Sequence, residues 1–226
     1  MTLEERYRKV VERVRAAERA AGRPEGSVAV LAVGKTFPAE MIAACAALGQ
    51  RAFGENYVQE AAAKIDALAH LDLEWRFIGP LQANKSRIVA ERFDWVESVD
   101  RLRIAERLSA QRPEGMPPIN VTVEVNLDGE ATKSGVSPEE LPAFMDAVAA
   151  LPNLRLRGLM AIPSPDAGPE TYARMKRLWD EARARRPELD TLSFGMSADI
   201  EPAVAAGSTQ VRVGSAIFGA RDYGKH

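Results

Sequence analysis

The sequence predicts an α/β protein of the (β/α)8 TIM-barrel class, formed as a single domain with one additional helix at its amino terminus. Strand-like apolar segments alternate with helix-like segments eight times within 226 residues, and such regular alternation is typical of a parallel sheet covered by helices. No low-complexity segment or linker interrupts the pattern, so we expect residues 1–226 to form one domain. A doubly wound open sheet is the alternative fold.

The first predicted element is an amphipathic helix over residues 2–21, in which Leu3, Val10 and Val14 recur at helical spacing between charged residues. A glycine and a proline follow directly and end the helix. We expect this amino-terminal segment, residues 1–22, to pack on the barrel.

Each predicted strand is a short apolar or β-branched run bounded by turn residues. In chain order the strands are predicted at 28–33, 51–54, 74–78, 94–97, 119–125, 154–160, 191–193 and 209–213. The intervening segments carry helical periodicity or helix signals, such as Gly49 at a carboxyl end and Pro138 at an amino end. They predict helices at 39–49, 57–69, 81–91, 101–111, 138–150, 169–186 and 198–206, with a final short turn from 217–218.

Composition excludes several classes of function. The chain carries 30 basic and 32 acidic residues, a net charge of −2, so nothing indicates a nucleic-acid surface. Cys45, His70 and His226 are its only cysteine and histidines, which leaves almost no material for a Ser-His-Asp site or a zinc site. The charged amino terminus and the lack of a long apolar run predict a soluble, cytoplasmic protein without a membrane span.

Lys35 directly follows the first predicted strand, and this position is unusual for a charged side chain. Burying an ammonium group is costly without a partner. A lysine held there loses its proton more easily and can act as an amine nucleophile toward an aldehyde. The position would suit a Schiff base with pyridoxal phosphate. A solvated lysine at the start of a loop is the other interpretation.

The predicted barrel places a candidate phosphate site after strands seven and eight. Barrels of this class often bind phosphate there, against backbone N–H groups at a short helix. Ser197 follows strand seven, and Gly214 with Ser215 follows strand eight. Hydroxyl groups and a close glycine backbone are suitable donors to an anion, although simple helix caps would have the same sequence. Asp199 could equally be an acid in the first turn of a helix.

Arg212 lies within the eighth predicted strand, and its orientation is open at this stage. An arginine that faces the barrel interior could contact the pyridine nitrogen of a pyridoxal cofactor. A guanidinium group only donates hydrogen bonds, so it would keep that nitrogen unprotonated and weaken the ring as an electron sink. The alternative is a surface arginine, because strand residues alternate between two faces.

Seven motifs occur in order along nearly the whole chain. They are Val33–Thr36, Phe53–Glu60, Trp75–Lys85, Val125–Asn126 with Lys133–Gly135, Arg157–Pro163, Ser193–Asp199 and Val211–Arg221. Together they resemble the pyridoxal phosphate homeostasis protein family. This resemblance implies a single barrel similar to the amino-terminal domain of alanine racemase, with pyridoxal 5′-phosphate (PLP) bound to it.

The resemblance also implies roles for individual residues. Lys35 matches the lysine that binds PLP covalently as a Schiff base, and Arg212 matches the arginine facing the pyridine nitrogen. The phosphate cradle is matched by Ser197, Gly214 and Ser215, and the ring pocket by Asn56 and Met160.

Family members resemble cofactor carriers or buffers rather than efficient enzymes. We therefore expect a monomer that binds PLP and supplies PLP-dependent apo-enzymes, without catalytic residues or a metal. The alternative is an amino-acid racemase, which needs a second acid–base group on the face opposite the lysine. In alanine racemases a tyrosine from another domain supplies it, and here Tyr57 or Tyr223 could substitute.

Four positions depart from the family pattern. Gly34 stands where serine is common, which would loosen the turn before the lysine, and Arg76 stands where histidine is frequent. Ser215 replaces a frequent threonine and keeps the hydroxyl group, and Phe194 replaces a common methionine.

Overall fold

The computed structural model describes residues 1–129 and 133–220 of the chain. Tyr223, the second candidate for an acid–base group, lies outside the described residues, as do Arg221 of the last motif and His226.

Eight parallel strands form a closed barrel in which each strand pairs with the next one along the chain and β8 pairs with β1. The predicted (β/α)8 TIM barrel with its additional amino-terminal helix is therefore confirmed, and the open-sheet alternative is excluded. The strands are β1 Ala29–Val33, β2 Ala52–Glu55, β3 Glu74–Phe77, β4 Trp95–Val99, β5 Ile119–Glu124, β6 Leu154–Ala161, β7 Thr191–Met196 and β8 Gln210–Val213.

The helices surround the barrel, and α1 precedes the first strand. Thr2 caps α1 through a capping box with Glu5, in which each side chain bonds the other residue's backbone N–H. The helices are α1 Leu3–Ala20, α2 Ala39–Ala47, α3 Val58–Ala67, α4 Ser86–Arg92, α5 Leu102–Gln111, α6 Leu141–Ala149, α7 Pro169–Arg185, α8 Ile200–Ala205 and α9 Ser215–Phe218. None of the helices in the described ranges combines the length and the apolar character needed to cross a bilayer.

Three elements differ from the predicted bounds by three residues or more. Helix α4 begins at Ser86 rather than at the predicted residue 81, because a short 3-10 turn at Ala83–Lys85 precedes it. Helix α6 begins at Leu141 rather than at the predicted Pro138, because a turn capped by Ser137 and Glu140 precedes it. Strand β7 extends to Met196, well beyond the predicted end, and the β7–β8 register shifts between Ser193 and Met196. Gly195 lies within this shift and has a φ of +97°, a backbone conformation that residues with a side chain rarely adopt.

The described residues form two distinct layers of packing. Val30 and Ala32 of β1 face outward and join the large apolar layer between the strands and the helices. Leu31 and Val33 instead form a separate interior cluster with Ile78. Because residues in register face the same side of a sheet, these two clusters show which residues of every neighbouring strand face the barrel interior.

Strands β6 and β7 approach each other unusually closely at Gly158. This residue is in register with Thr191, and a Cβ atom added to it would lie 1.7 Å from the Thr191 carbonyl oxygen. The register between β5 and β6 also shifts here. The barrel therefore requires glycine at this position.

We predict that Gly158→Ala destabilises the protein by about 3 kcal/mol or more, because the strands must separate to admit the methyl group. Urea unfolding at equilibrium measures this change. Gly168→Ala is the matched control, since its Cβ would contact only the flexible carboxylate of Glu170, and we expect a loss within about 1 kcal/mol. Equal losses in the two variants would contradict the steric argument.

Candidate functional site

The predicted site residues belong to five neighbouring strands of the barrel. All strands are parallel, so their carboxyl ends lie at one end of the barrel, where such barrels form their sites. In barrel order, Met160 lies in β6, Ser197 follows β7, and Arg212 with Gly214 and Ser215 belongs to the end of β8. Lys35 follows β1, and Asn56 follows β2. The fold thus brings all seven predicted residues to one arc of the barrel.

Lys35 and the predicted phosphate residues follow adjacent strand ends. Ala32 of β1 is in register with Val213 of β8, so the residues just beyond them leave the barrel side by side. Lys35 is half-buried, Gly214 is buried and Ser215 is exposed.

Arg212 faces the barrel interior, which the sequence left open. It is in register with the interior residue Leu31, whereas its neighbours Val211 and Val213 pack outward against the helices. Its guanidinium group donates from NH1 to the backbone oxygen and the hydroxyl of Ser193, both at 2.8 Å, and from NH2 to the Ala161 oxygen at 2.9 Å. The surface alternative for this arginine is therefore wrong.

A buried carboxylate fixes the serine that holds Arg212. Glu97 is fully buried, and its Oε2 accepts a hydrogen bond from Ser193 Oγ at 2.6 Å. Its Oε1 accepts from Gln210 Nε2 at 2.6 Å and from Arg76 NH1 at 3.2 Å. Burial lowers the pKa of Arg212, while the charges of Glu97, Glu124 and Asp199 act in the opposite direction.

Arg76, one of the departures from the family pattern, belongs to the same interior network. Its guanidinium carbon lies 3.8 Å from the centroid of the Trp95 ring, and NH1 donates to the Gln210 side chain at 2.6 Å. In β3 this residue is in register with Trp95 of β4. The structure therefore gives Arg76 a packing role inside the barrel.

A cavity of about 390 Å³ opens at the carboxyl end of the strands, within the range of small-molecule sites. Among the seven predicted residues, Asn56 alone lines this cavity. The Oδ1 atom of Asn56 is buried without a hydrogen-bond partner in the described part of the chain. Gly79 permits this position, because a Cβ there would lie 2.6 Å from the Asn56 carbonyl oxygen. An unpaired buried acceptor in a cavity is suited to a ligand donor.

Glu124 also lines the cavity, although no sequence pattern singled it out. It is in register with Met160 of β6, which in turn is in register with the interior residue Ser193. Burial and the nearby charge of Asp100 raise the pKa of Glu124 to about 7, and Arg212 partly opposes this rise. The cavity therefore contains a carboxyl group that changes charge near neutral pH.

The amino-terminal helix contacts both predicted phosphate loops. Arg13 of α1 donates to the Ser197 carbonyl oxygen at 2.6 Å, and Arg6 donates to the Ile217 carbonyl oxygen at 2.7 Å. Asp199 occupies the first position before α8, but its side chain does not cap that helix. It accepts hydrogen bonds from the Met196 N–H and the Tyr172 hydroxyl instead.

The loop that carries Lys35 is closely packed. The sequence predicts a looser turn at Gly34, but a Cβ there would lie 2.5 Å from Ile42 Cδ1 and 2.7 Å from Glu55 Oε1. The buried Lys64 donates to the Gly34 carbonyl oxygen at 2.8 Å. Burial raises the pKa of Glu55, against the charges of Lys64 and Lys35.

Other reactive groups offer no competing centre in the described ranges. Cys45 is buried in α2, and burial raises the pKa of its thiol to about 12. No group of three or more histidine, cysteine or carboxylate side chains suited to a metal ion occurs within residues 1–129 and 133–220.

Comparison with known proteins identifies the family. The alanine racemase N-terminal domain family matches residues 7–222 of this chain. The pyridoxal phosphate homeostasis protein of Pseudomonas aeruginosa is 55% identical over 224 residues, which cover 99% of this chain and 97% of the relative.

Two solved structures share the fold. PipY of Synechococcus elongatus PCC7942, solved with PLP bound, is 36% identical with a TM-score of 0.82, and the match covers 96% of this chain and 100% of PipY. Alanine racemase from Corynebacterium glutamicum is 18% identical with a TM-score of 0.68, covering 96% of this chain and 62% of the racemase, which shows the fold alone. By these matches, the chain belongs to the pyridoxal phosphate homeostasis protein family, within the wider family of alanine racemase N-terminal domains.

Proposed function

We propose that this protein binds pyridoxal 5′-phosphate as a Schiff base on Lys35 and acts in the intracellular homeostasis of this cofactor. In this function it delivers PLP to PLP-dependent apo-enzymes, as a cytoplasmic monomer in which residues 1–226 form the single binding domain. The observation that carries the proposal is the placement of Lys35 beside Gly214 and Ser215 on adjacent strand ends. The PLP bound in PipY supports the choice of ligand.

The residues present fit this group. When bound, PLP supplies an aldehyde that reacts reversibly with a primary amine. Lys35 provides the amine. Ser197, Gly214 and Ser215 provide hydroxyl and backbone donors for the phosphate. For the ring pocket, Asn56 offers an acceptor that is otherwise buried and unpaired.

Met160 and Arg212 complete the proposed pocket from the barrel interior. Met160 is fully buried and gives the ring an apolar, polarizable contact. Arg212 is held by Ser193 and Ala161, and it can only donate hydrogen bonds. It therefore keeps an acceptor nitrogen unprotonated, which weakens the ring as an electron sink.

Racemase activity is the second candidate, because alanine racemase shares the fold. Such an enzyme needs a second acid–base group opposite the lysine. Tyr57, the residue directly before α3, is 54% exposed and is not among the residues that line the cavity. We therefore propose a carrier without evident turnover.

The charge of Glu124 makes the electrostatic properties of this cavity depend on pH. At low pH the neutral carboxyl group adds no charge to the cavity, and above its pKa of about 7 the carboxylate adds a negative charge to it. The ordinary pKa of 4.5 applies once the chain unfolds. The difference links the protonation of Glu124 to the stability of the fold.

We predict that borohydride reduction of the protein mixed with PLP attaches a phosphopyridoxyl group to Lys35, because this amine follows a strand end beside the phosphate donors. Peptide mass spectrometry locates the label. Lys35→Ala loses the label, whereas Lys9→Ala, which removes an exposed lysine of α1, keeps it. A label found on another lysine, or no label at all, would contradict the proposed attachment.

We predict negligible racemisation of alanine and serine by the PLP-loaded protein, at a rate no higher than that of Lys35→Ala. Chiral chromatography of the amino acid after prolonged incubation measures the turnover. Steady turnover that disappears in Lys35→Ala would establish the racemase alternative instead.

We predict that the wild type loses more stability than Glu124→Gln as the pH rises from about 4.5 to about 7. In this window folded Glu124 keeps a proton that the unfolded chain has released, so its stabilising contribution, about 3 kcal/mol at most, falls as the pH increases. Urea unfolding of the ligand-free protein at several pH values measures the difference. Glu114→Gln, at an exposed position, is the control, and identical pH profiles for all three proteins would refute the buried-acid interpretation.

A further inference from the structure

We infer that Lys64 is a positioning residue that holds the loop carrying Lys35 in the conformation needed to bind the cofactor. This inference rests on the proposed function of Lys35. It concerns a cluster of three side chains, Lys64, Glu55 and Glu60, which we call the Lys64 cluster. No part of this cluster is in the cavity described above or among the residues matched to the cofactor.

The ammonium group of Lys64 is almost completely buried and makes three hydrogen bonds. It donates to Glu55 Oε1 at 2.8 Å, to Glu60 Oε1 at 2.6 Å and to the Gly34 carbonyl oxygen at 2.8 Å. An ammonium group has three N–H donors, so these partners satisfy all of them. One of the three is the backbone of the residue directly before Lys35.

The second connection from the cluster reaches the residue directly after Lys35. The Thr36 N–H donates to Glu60 Oε1 at 2.6 Å, the same oxygen that accepts from Lys64. The cluster therefore bonds the backbone on both sides of Lys35. Lys64 and Glu60 are four residues apart on α3, a spacing that places them on the same face of the helix.

The backbone at Thr36 requires such support. Its φ is +69°, and a β-branched residue in the left-handed region is strained. Strain of this kind persists only where the surrounding contacts over-determine the conformation. The bond from Thr36 to Glu60 and the bond from Lys64 to Gly34 are contacts of this kind.

Gly34 and Glu55 complete the arrangement. Glu55 is fully buried, and Glu55 Oε1 lies where a side chain at Gly34 would have to go. The departure from the family's serine thus leaves room for the carboxylate that Lys64 contacts. Glu55 and Glu60 both accept from the single ammonium group of Lys64, and Lys35 is a second cation acting on Glu55.

These hydrogen bonds connect helix α3 to the loop that carries the amine of Lys35. Strand β1 ends at Val33, and the Gly34 N–H still donates to the Gly54 carbonyl oxygen of β2 at 2.9 Å. Beyond this point the Lys64 cluster, whose residues belong to the neighbouring β2–α3 unit, holds the backbone of the loop. Loss of Lys64 leaves Glu55 buried without its partner and frees the loop to leave the left-handed conformation at Thr36.

The test compares Lys64→Met and Lys64→Arg with the wild type in two measurements. Hydrogen exchange of the Thr36 amide in the ligand-free protein reports the loop without any cofactor. Titration with PLP, followed by borohydride trapping and mass spectrometry of Lys35, reports the dissociation constant. Lys176→Met is the matched control, because Lys176 forms an exposed ion pair with Asp180 four residues away on α7.

We expect Lys64→Met to raise the exchange rate of Thr36 and the dissociation constant for PLP at least about tenfold each, because the loss of even one of the three charge-assisted hydrogen bonds of Lys64 accounts for a change of this size. Lys64→Arg recovers part of both values, and Lys176→Met changes neither. Adding Thr36→Gly to Lys64→Met recovers part of the affinity, because glycine adopts the positive φ without strain. Recovery of this kind would not follow from a general loss of stability.

Unchanged Thr36 exchange and unchanged PLP affinity in folded Lys64→Met would overturn the inference. If Lys64→Met does not fold, Glu60→Gln makes the same test, since Glu60 is partly exposed and contacts both Thr36 and Lys64. A wild type that never labels at Lys35 contradicts the proposed function, whereas normal labelling together with an insensitive loop contradicts the role of Lys64 alone.

Discussion

The interior of this barrel depends on the hydrogen bonds that the buried carboxylate of Glu97 accepts. An isolated buried charge is costly, so it must be paired and hydrogen-bonded. Here Arg76, Gln210 and Ser193 each donate to it. Ser193 uses its remaining capacity to accept from Arg212. The orientation of Arg212 at the site thus follows from a chain of bonds that begins in the middle of the barrel.

Side chains from outside the barrel fix the loops at its carboxyl end. Carbonyl oxygens beyond the strand ends have no partner in the sheet, and they need donors from elsewhere. Arg6 and Arg13 of α1 supply donors to the loops after β8 and β7, and Lys64 of α3 supplies one to the loop after β1. The additional helix is therefore part of the architecture of the site, although it belongs to no strand–helix unit.

The elements and their order were predictable because each depends on local pattern. The shifts at α6 and β7 arose where a capped turn preceded Leu141 and where Gly195 allowed a change of register. The candidate site was predictable only as positions. Motifs and strand order indicated Lys35 and Asn56, but no local pattern distinguished Glu124 or Lys64 from ordinary charged residues of a strand and a helix.

The sequence by itself determined the fold class and the end of the barrel at which Lys35, Ser197, Gly214 and Ser215 lie, because parallel strands in chain order have all their carboxyl ends together. Only the tertiary structure decided which way the β8 side chains point. Strand side chains alternate between two faces, so Arg212 lies on the face opposite to Val211 and Val213, but this alternation does not tell which face is interior. Closure of the barrel decides that, since it brings Ser193 and Glu97 together across 96 positions of the chain.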